Sequence, residues 1–385
     1  MNEIKNDYRE NSVFPIIILL IGYVVLQIAT PLQMKQLMSA GTWMIVFSSI
    51  IAVVSFAIKG GILKNDNSIF IMILLFTSVV LSMIFANNVN YNGVVAAFCF
   101  LEIPFFLISY DSIESKKLIN LIYLVFFILS VYYIALSFSS LSNVYYTKYG
   151  LREMEFVSLG YNNPNETSMY LVTCFIVIVS MFFGIKNRLL RTAIIIDSVL
   201  LLQIIYKTQS RTGIVASVVF IVSLFIFRKR KIPKIIKEIA FLVCLAFLFI
   251  TVFFYDEMAS LELLGETLET GRYEIYENII KQMSFEKFLF GDFTIHFQNL
   301  HNSVLTVFAT VGVFGTLAFF DLLYKKINVN KTNNNVALIG ILCLIMTTAT
   351  EGALLTKGSA FAASFLSVYF LCITNTGGSN ESITN

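Results

Sequence analysis

Apolar residues in this chain gather in solid blocks of roughly 16 to 22, separated by short polar stretches. That is the length a helix needs to cross about 30 Å of hydrocarbon. The pattern predicts membrane-spanning helices at about 14–30, 42–58, 68–86, 92–110, 118–138, 168–185, 190–206, 212–227, 239–255, 303–324, 336–350 and 359–373, about 12 in all. A membrane β-barrel would instead show alternating segments of about 10 residues, so that class is excluded. The first block follows Lys5 and Arg9, as a signal peptide would, but its core is too long for a cleaved signal and Glu3, Asp7 and Glu10 sit among the bases. It reads as a retained helix. The expected fold is an all-α polytopic integral membrane protein, one domain over 1–385.

Composition agrees. The 385 residues are 57% hydrophobic and 13% charged, with a mean hydropathy of +0.79. A soluble domain carries about 25% charged residues. The net charge of +3 gives no reason to expect nucleic acid as a partner. All five cysteines, Cys99, Cys174, Cys244, Cys343 and Cys372, fall inside apolar blocks, so no disulfide is implied. Cys/His metal spacing is absent, and neither a metal nor a cofactor is expected. No internal repeat is visible, which weakens an inverted-repeat transporter reading. The tail Asn375–Asn385 is rich in Gly, Ser and Asn and reads as disordered.

Orientation follows from the bases, because Lys and Arg resist translocation. With the N-terminus inside, 18 of the 27 bases fall in cytoplasmic segments and 9 in outer ones. Both termini are then cytoplasmic. Two large outer segments remain, about 139–167 and about 256–302. The second holds nine acids against three bases, and both histidines, His296 and His301. Within it, Ile275, Ile279, Ile280 and Met283 recur at helical spacing opposite Glu274, Glu277 and Lys281. This amphipathic helix either lies on the outer membrane surface or caps the bundle.

Candidate chemistry comes in two groups. Glu102, close to Pro104, and Asp197 sit inside predicted spans. With no intramembrane base to match them, pairing that joins helices is the preferred reading over ion or proton coupling. The second group lies on the outer face: Gly160–Asn165 (Gly-Tyr-Asn-Asn-Pro-Asn), Gln209–Gly213 (Gln-Ser-Arg-Thr-Gly), Gly271–Tyr276, Leu289–Asp292, and His301–Leu305 leading into a span with Gly312 and Gly315. Each alone has an ordinary explanation, since Asn-Pro is a common turn and an interfacial Arg is commonly a snorkelling anchor. Their joint order on one face is what carries weight.

In that order the chain resembles the O-antigen ligase and polysaccharide polymerase family of bacterial membrane glycosyltransferases. The resemblance rests on Asn163-Pro164-Asn165, Ser210-Arg211, Arg272 with Ile275-Tyr276, Phe290-Gly291 and His301-Asn302, over about 160–320. Two departures stand out: Asp292 and Phe293 follow Phe290-Gly291 where a second glycine is usual, and Tyr276 stands where a tryptophan is frequent.

The resemblance implies transfer of a glycan from a polyprenyl diphosphate carrier to an acceptor hydroxyl on the outer membrane face, without a metal. Arg offers a planar, permanently charged fork for a diphosphate leaving group, so Arg211 and Arg272 are the candidates there. An imidazole neutral near pH 7 suits the base, which points to His301, with Glu351 in reserve. Asn163, Asn165 and Asn302 are candidate substrate contacts, and His296 is expected to be structural. Net acidity of the outer loop argues against capture of a polyanion by the loop as a whole.

The first expectation is therefore a capsule, exopolysaccharide or O-antigen polymerase in the cytoplasmic membrane. A glycan ligase, a lipid-linked glycan flippase or other transporter, and a non-catalytic scaffold are the alternatives. Expected partners are the lipid-linked donor and acceptor, with a flippase or chain-length regulator as an open further partner.

Overall fold

The computed structural model describes residues 13–58, 67–86, 90–139, 144–149, 152–161, 163–230, 232–254, 262–263, 266–267, 272–294, 302–329, 334–349 and 359–375. Among them the chain is essentially all-α. Its helices are α1 (Phe14–Ala29), α2 (Lys35–Ile58), α3 (Asn67–Phe85), α4 (Tyr91–Ser109), α5 (Lys116–Ser137), α6 (Pro164–Gly184), α7 (Arg188–Lys207), α8 (Arg211–Phe227), α9 (Lys234–Phe253), α10 (Arg272–Lys281), α11 (Phe285–Phe290), α12 (Ser303–Val329), α13 (Asn335–Thr347) and α14 (Ser359–Ile373).

Six helices (α2, α5, α6, α7, α9 and α12) are long and apolar enough to cross a membrane, and six shorter apolar helices accompany them. Each coincides with one of the twelve apolar blocks. The largest departure in a start is α2, which begins at Lys35, ahead of the expected 42, while α9 begins at Lys234 and α6 at Pro164, ahead of 239 and 168. Its first turns contain polar residues that hydropathy alone does not count as span.

Burial separates centre from periphery. In α12 83% of the apolar window is buried and in α6 72%, against 22% in α9 and 28% in α7. The helices α13 and α14 are buried along nearly their whole length. The outer helices keep large apolar side chains exposed, among them Leu189, Val199, Phe225 and Leu242. A soluble monomer rarely exposes contiguous apolar surface on this scale, whereas lipid tails would cover it at no cost.

Short strands complete the chain. A hairpin of β2 (Val144–Tyr149) and β3 (Arg152–Val157) occupies the segment before α6, where no strand was expected. The parallel pair β1 (Ile113–Glu114) and β6 (Thr374–Asn375) ties the link after α4 to the end of α14. A two-residue pair joins β4 (Glu262–Leu263) to β5 (Glu266–Thr267).

Two ends of the bundle can be told apart by their contacts. At one, Lys326 Nζ donates to Asp111 Oδ1 at 2.6 Å, and the Asn335 amide donates to the carbonyls of Arg228 and Arg230 at 3.2 Å. Arg191 and Arg228 lie over the rings of Phe182 and Phe183 at 4.5 and 4.6 Å. This end is rich in bases. The other collects the starts of α6, α8 and α12 and the end of α3, and the described candidates Asn163, Asn165, Arg211 and Asn302 sit there.

Buried polar groups join helices as the sequence suggested for the intramembrane acids. Ser130 Oγ on α5 donates to Asp197 Oδ2 on α7 at 2.8 Å. Ser359 Oγ, the first residue of α14, donates to Glu102 Oε1 on α4 at 2.5 Å.

Candidate functional site

The Asn-Pro-Asn turn is a helix start. Asn163 is the N-cap of α6, its Oδ1 accepting from the Asn165 N–H at 2.8 Å. Pro164 follows at the first helical position, where its missing N–H costs nothing and its φ is already helical. The loop ahead of it is anchored from the side: Tyr161 is fully buried and its hydroxyl donates to Gln27 Oε1 at 2.6 Å, where the Tyr133 hydroxyl also donates at 2.7 Å. Thr167 Oγ1 donates back to the Ser158 carbonyl at 2.7 Å. The Asn163 side chain is therefore committed to the backbone, while Asn165 is half-buried in the first turn.

The Ser-Arg pair starts the next helix but one. Gln209 takes a left-handed φ of 56°, Ser210 caps α8 by accepting from the Gly213 N–H at 3.3 Å, and Arg211 is the first helical residue, exposed. Gly213 presses directly on α6, since a Cβ there would stand 1.6 Å from Ser168 Oγ. That contact brings the Asn-Pro-Asn and Ser-Arg elements, 47 residues apart from Asn163 to Ser210, to one place.

Three further helix ends are set below the rim. Ser359 of α14 meets Glu102, eleven residues into α4, which is about 16 Å from the start of α4. Thr348, just past α13, has its hydroxyl 3.6 Å from Cys244 Sγ, nine residues short of the end of α9 and so about 13 Å below it. The start of α12 is tied to the same point, because the Ser303 N–H donates to the Thr348 carbonyl at 3.0 Å. Phe361 of α14 stacks on Tyr170 of α6 at 4.2 Å, closing the group onto the Asn163 helix. Three polar helix ends thus meet, buried, short of the ends of α4 and α9. Such backbone is tolerated at depth only against protein or an aqueous cavity.

Asn302 precedes the start of α12 at this meeting point and is fully buried. Its Oδ1 accepts from the Leu305 N–H at 2.9 Å, and its Nδ2 has no partner among the described residues. His301 is the residue before Asn302, and Glu351 follows Thr348 by three positions. Both lie outside the described residues, as does His296. Arg272 is the first residue of α10.

The helix α10 packs onto protein. Tyr276 and Ile279 are buried against Leu305, Phe308 and Ala309 of α12, with Leu248 and Val252 of α9 beside them. Of the two arrangements the sequence left open, α10 thus takes the one that caps the bundle.

The Phe-Gly element turns out to be an interlock with α12. That helix is broken at Gly312, which has φ 67° and ψ −171°, so the expected span 303–324 is two helical pieces. The first piece climbs from Asn302 to Thr310, whose carbonyl accepts from Ser82 Oγ at 2.5 Å near the end of α3. Gly291, at φ 87° and ψ 179°, lies in the gap. A Cβ on Gly291 would stand 2.3 Å from the Thr310 carbonyl oxygen, and one on Gly312 2.3 Å from the Leu289 backbone. Two backbones cross where no side chain fits, in a φ/ψ region that is essentially glycine's alone. The Asp292 N–H then donates to the Ala309 carbonyl at 2.7 Å, which the broken helix leaves free. Phe290 stacks on Phe85 with ring centroids 5.6 Å apart, and Phe293 is fully buried against Phe100.

A polar cluster that the sequence did not single out lies beside this crossing. Asp292 Oδ2 accepts from Lys287 Nζ at 2.8 Å, and Oδ1 accepts from the Thr294 N–H at 3.0 Å and hydroxyl at 2.5 Å. Burial pushes the Asp292 carboxyl up, but the bonds from Lys287 and Thr294 outweigh it and hold it below its ordinary value. The signal was thin: a Lys and an Asp five apart, among a loop's other charges.

Comparison with protein-family models, curated proteins and solved structures finds no significant match to this chain.

Proposed function

We propose that this chain is a polysaccharide polymerase of the cytoplasmic membrane, joining polyprenyl-diphosphate-linked repeat units at the outer face. In this reading all twelve apolar helices are spans, both termini are cytoplasmic, and the base-rich end faces the cytoplasm. The observation that carries the reading is the meeting of helix ends at one end of the bundle, where the Asn163 and Arg211 elements touch and the Asn302 element is tied in beside them. A polyprenyl tail can stay among lipids while its diphosphate reaches Arg211 at this end from the side.

The chemistry assigned to it is a displacement at the anomeric carbon of the donor. The acceptor hydroxyl oxygen forms the new glycosidic bond, the bond to the diphosphate breaks, and the lipid diphosphate leaves with the electron pair. His301 takes the acceptor proton. Arg211 and Arg272 meet the growing charge on the leaving group; removing one such contact costs on the order of 10²–10³ in rate. The capping role of Asn163 makes it a support for the start of α6 more than a substrate contact, which leaves Asn165 and the buried Asn302 amide, unpartnered among the described residues, as the substrate candidates, with Glu351 as reserve base.

A gel of lipid-linked and surface glycans from a deletion strain, with and without the gene restored, tests the reading. Loss of the polymer ladder with accumulation of a single lipid-linked repeat unit is the expected result. Long lipid-linked chains accumulating unattached would make the protein a ligase instead, and unchanged glycans would sink both.

A further inference from the structure

Between α10 and α11 lies a cavity of about 300 Å³, at the lower end of the range for small-molecule sites. One wall is the exposed edge of α10, where Asn278 and Gln282 stand one turn apart beside Ile279. The floor is the Lys287–Asp292 pair with Thr294. The cavity touches the interlock through Asp292, so its shape is held by the Gly291–Gly312 crossing rather than by a free loop.

Its chemistry is selective. Two primary amides supply both donors and acceptors, and the ammonium of Lys287 keeps two N–H groups beyond the one given to Asp292. The apolar stretch contributed by Ile279 suits the C–H face of a ring. Charge argues against an anion: Lys287 is neutralised by Asp292 at 2.8 Å, and the surrounding loop carries nine acids against three bases. A phosphate would meet no uncompensated cation among the described lining residues.

We infer that this cavity is a saccharide pocket, taking one uncharged sugar ring of the glycan through Asn278, Gln282, Lys287 and Thr294. The assignment rests on the proposed glycan transfer and deepens it. The diphosphate goes to the arginines, and a sugar of the repeat unit is read by α10 and α11. Recognition of sugar identity thereby falls to residues outside the reacting groups. Because α10 packs on the first piece of α12, a bound sugar would also be registered against the chain entering at Asn302.

The test uses the full-length protein in lipid nanodiscs and saturation-transfer NMR, with free glucose, galactose and N-acetylglucosamine as probes and inorganic diphosphate as competitor. At least one sugar should show saturable transfer, weakened about tenfold by Asn278→Ala with Gln282→Ala, since hydrogen bonds to the ring are lost. Glu277→Ala, which removes the ion pair to Lys281 beside the pocket, should bind like the wild type. Diphosphate should not displace the sugar. No sugar signal, displacement by diphosphate, or equal loss in Glu277→Ala would each overturn the pocket. The glycan gel separates this from the function itself. Polymer lost on Arg211→Ala without any sugar binding removes the pocket alone. Sugar binding through these residues, with glycans unchanged on deletion, removes the polymerase and leaves the pocket standing.

Discussion

Two junctions at the same end of the bundle are built by opposite means. Where α6 meets α8, side chains do the work: Asn163 and Ser210 cap their helices, Tyr161 and Tyr133 converge on Gln27, and Gly213 rests on a serine side chain. Where α11 meets α12, backbone crosses backbone at Gly291 and Gly312, and side chains merely line the exit. A side-chain junction yields by degrees, because a rotamer can turn away. A backbone crossing has nothing to turn. The contrast suits the roles proposed: the first junction presents Arg211 to solvent, while the second holds α11 and the chain toward Asn302 in one register.

The largest expected effect is therefore at the crossing. Gly312→Ala or Gly291→Ala should destabilise the 285–294 segment by on the order of 4 kcal/mol, from φ/ψ strain plus a backbone clash. Hydrogen exchange over α11 reads this directly, and near-native protection would mean the crossing is not tight. The two substitutions share one contact, so the double variant should cost well short of twice the single.

Next comes Arg211→Ala, with transfer slowed on the order of 10²–10³ and thermal stability unchanged, because the side chain is exposed and nothing described rests on it. Polymer at wild-type rates from a well-expressed variant would remove its leaving-group role.

A smaller effect belongs to the side-chain junction. Ser210→Ala should cost about 1 kcal/mol in thermal unfolding, the usual worth of such a cap. Gly213→Ala should be partly relieved by Ser168→Ala, since the clashing atom is a hydroxyl. No comparable rescue is expected at Gly312, and finding one would erase the distinction drawn here.

The smallest effect is in pH. The Asp292 carboxyl is held below its ordinary value in the folded protein, so its contribution is fully present above the unfolded carboxylate pKa and fades as pH falls through the folded one. The stability difference between wild type and Asp292→Asn should be flat near neutrality and shrink on acidification below about pH 4. A difference that grew with acid would reverse the assignment.

The sequence came close on the helices and uneven on the site. Apolar runs report spans directly, because nothing but a helix satisfies its own backbone in hydrocarbon, and the twelve blocks fall on twelve apolar helices. The Asn163 and Ser210 elements were legible as polar stretches at the edges of spans, but that each side chain caps a helix came from the structure. The break in α12 was hidden, since Gly312 in an apolar run, with Gly315 beside it, looks like any other small residue. Its meaning needs a second glycine 21 positions away, at Gly291. The Lys287–Asp292–Thr294 cluster was hidden for the same reason, as its charges read as one more solvated face.

Length and hydropathy by themselves determined that this is an all-α chain of membrane-type helices, and the distribution of bases set the expected orientation. Tertiary structure alone decided that α12 is broken, that α10 caps the bundle, and that three helix ends meet, buried, at the same end as Asn163 and Arg211. The reason is one of range. Hydrophobic transfer acts on each residue wherever it stands, so it can be read along the chain. Close approach of two backbones depends on partners that the sequence keeps apart.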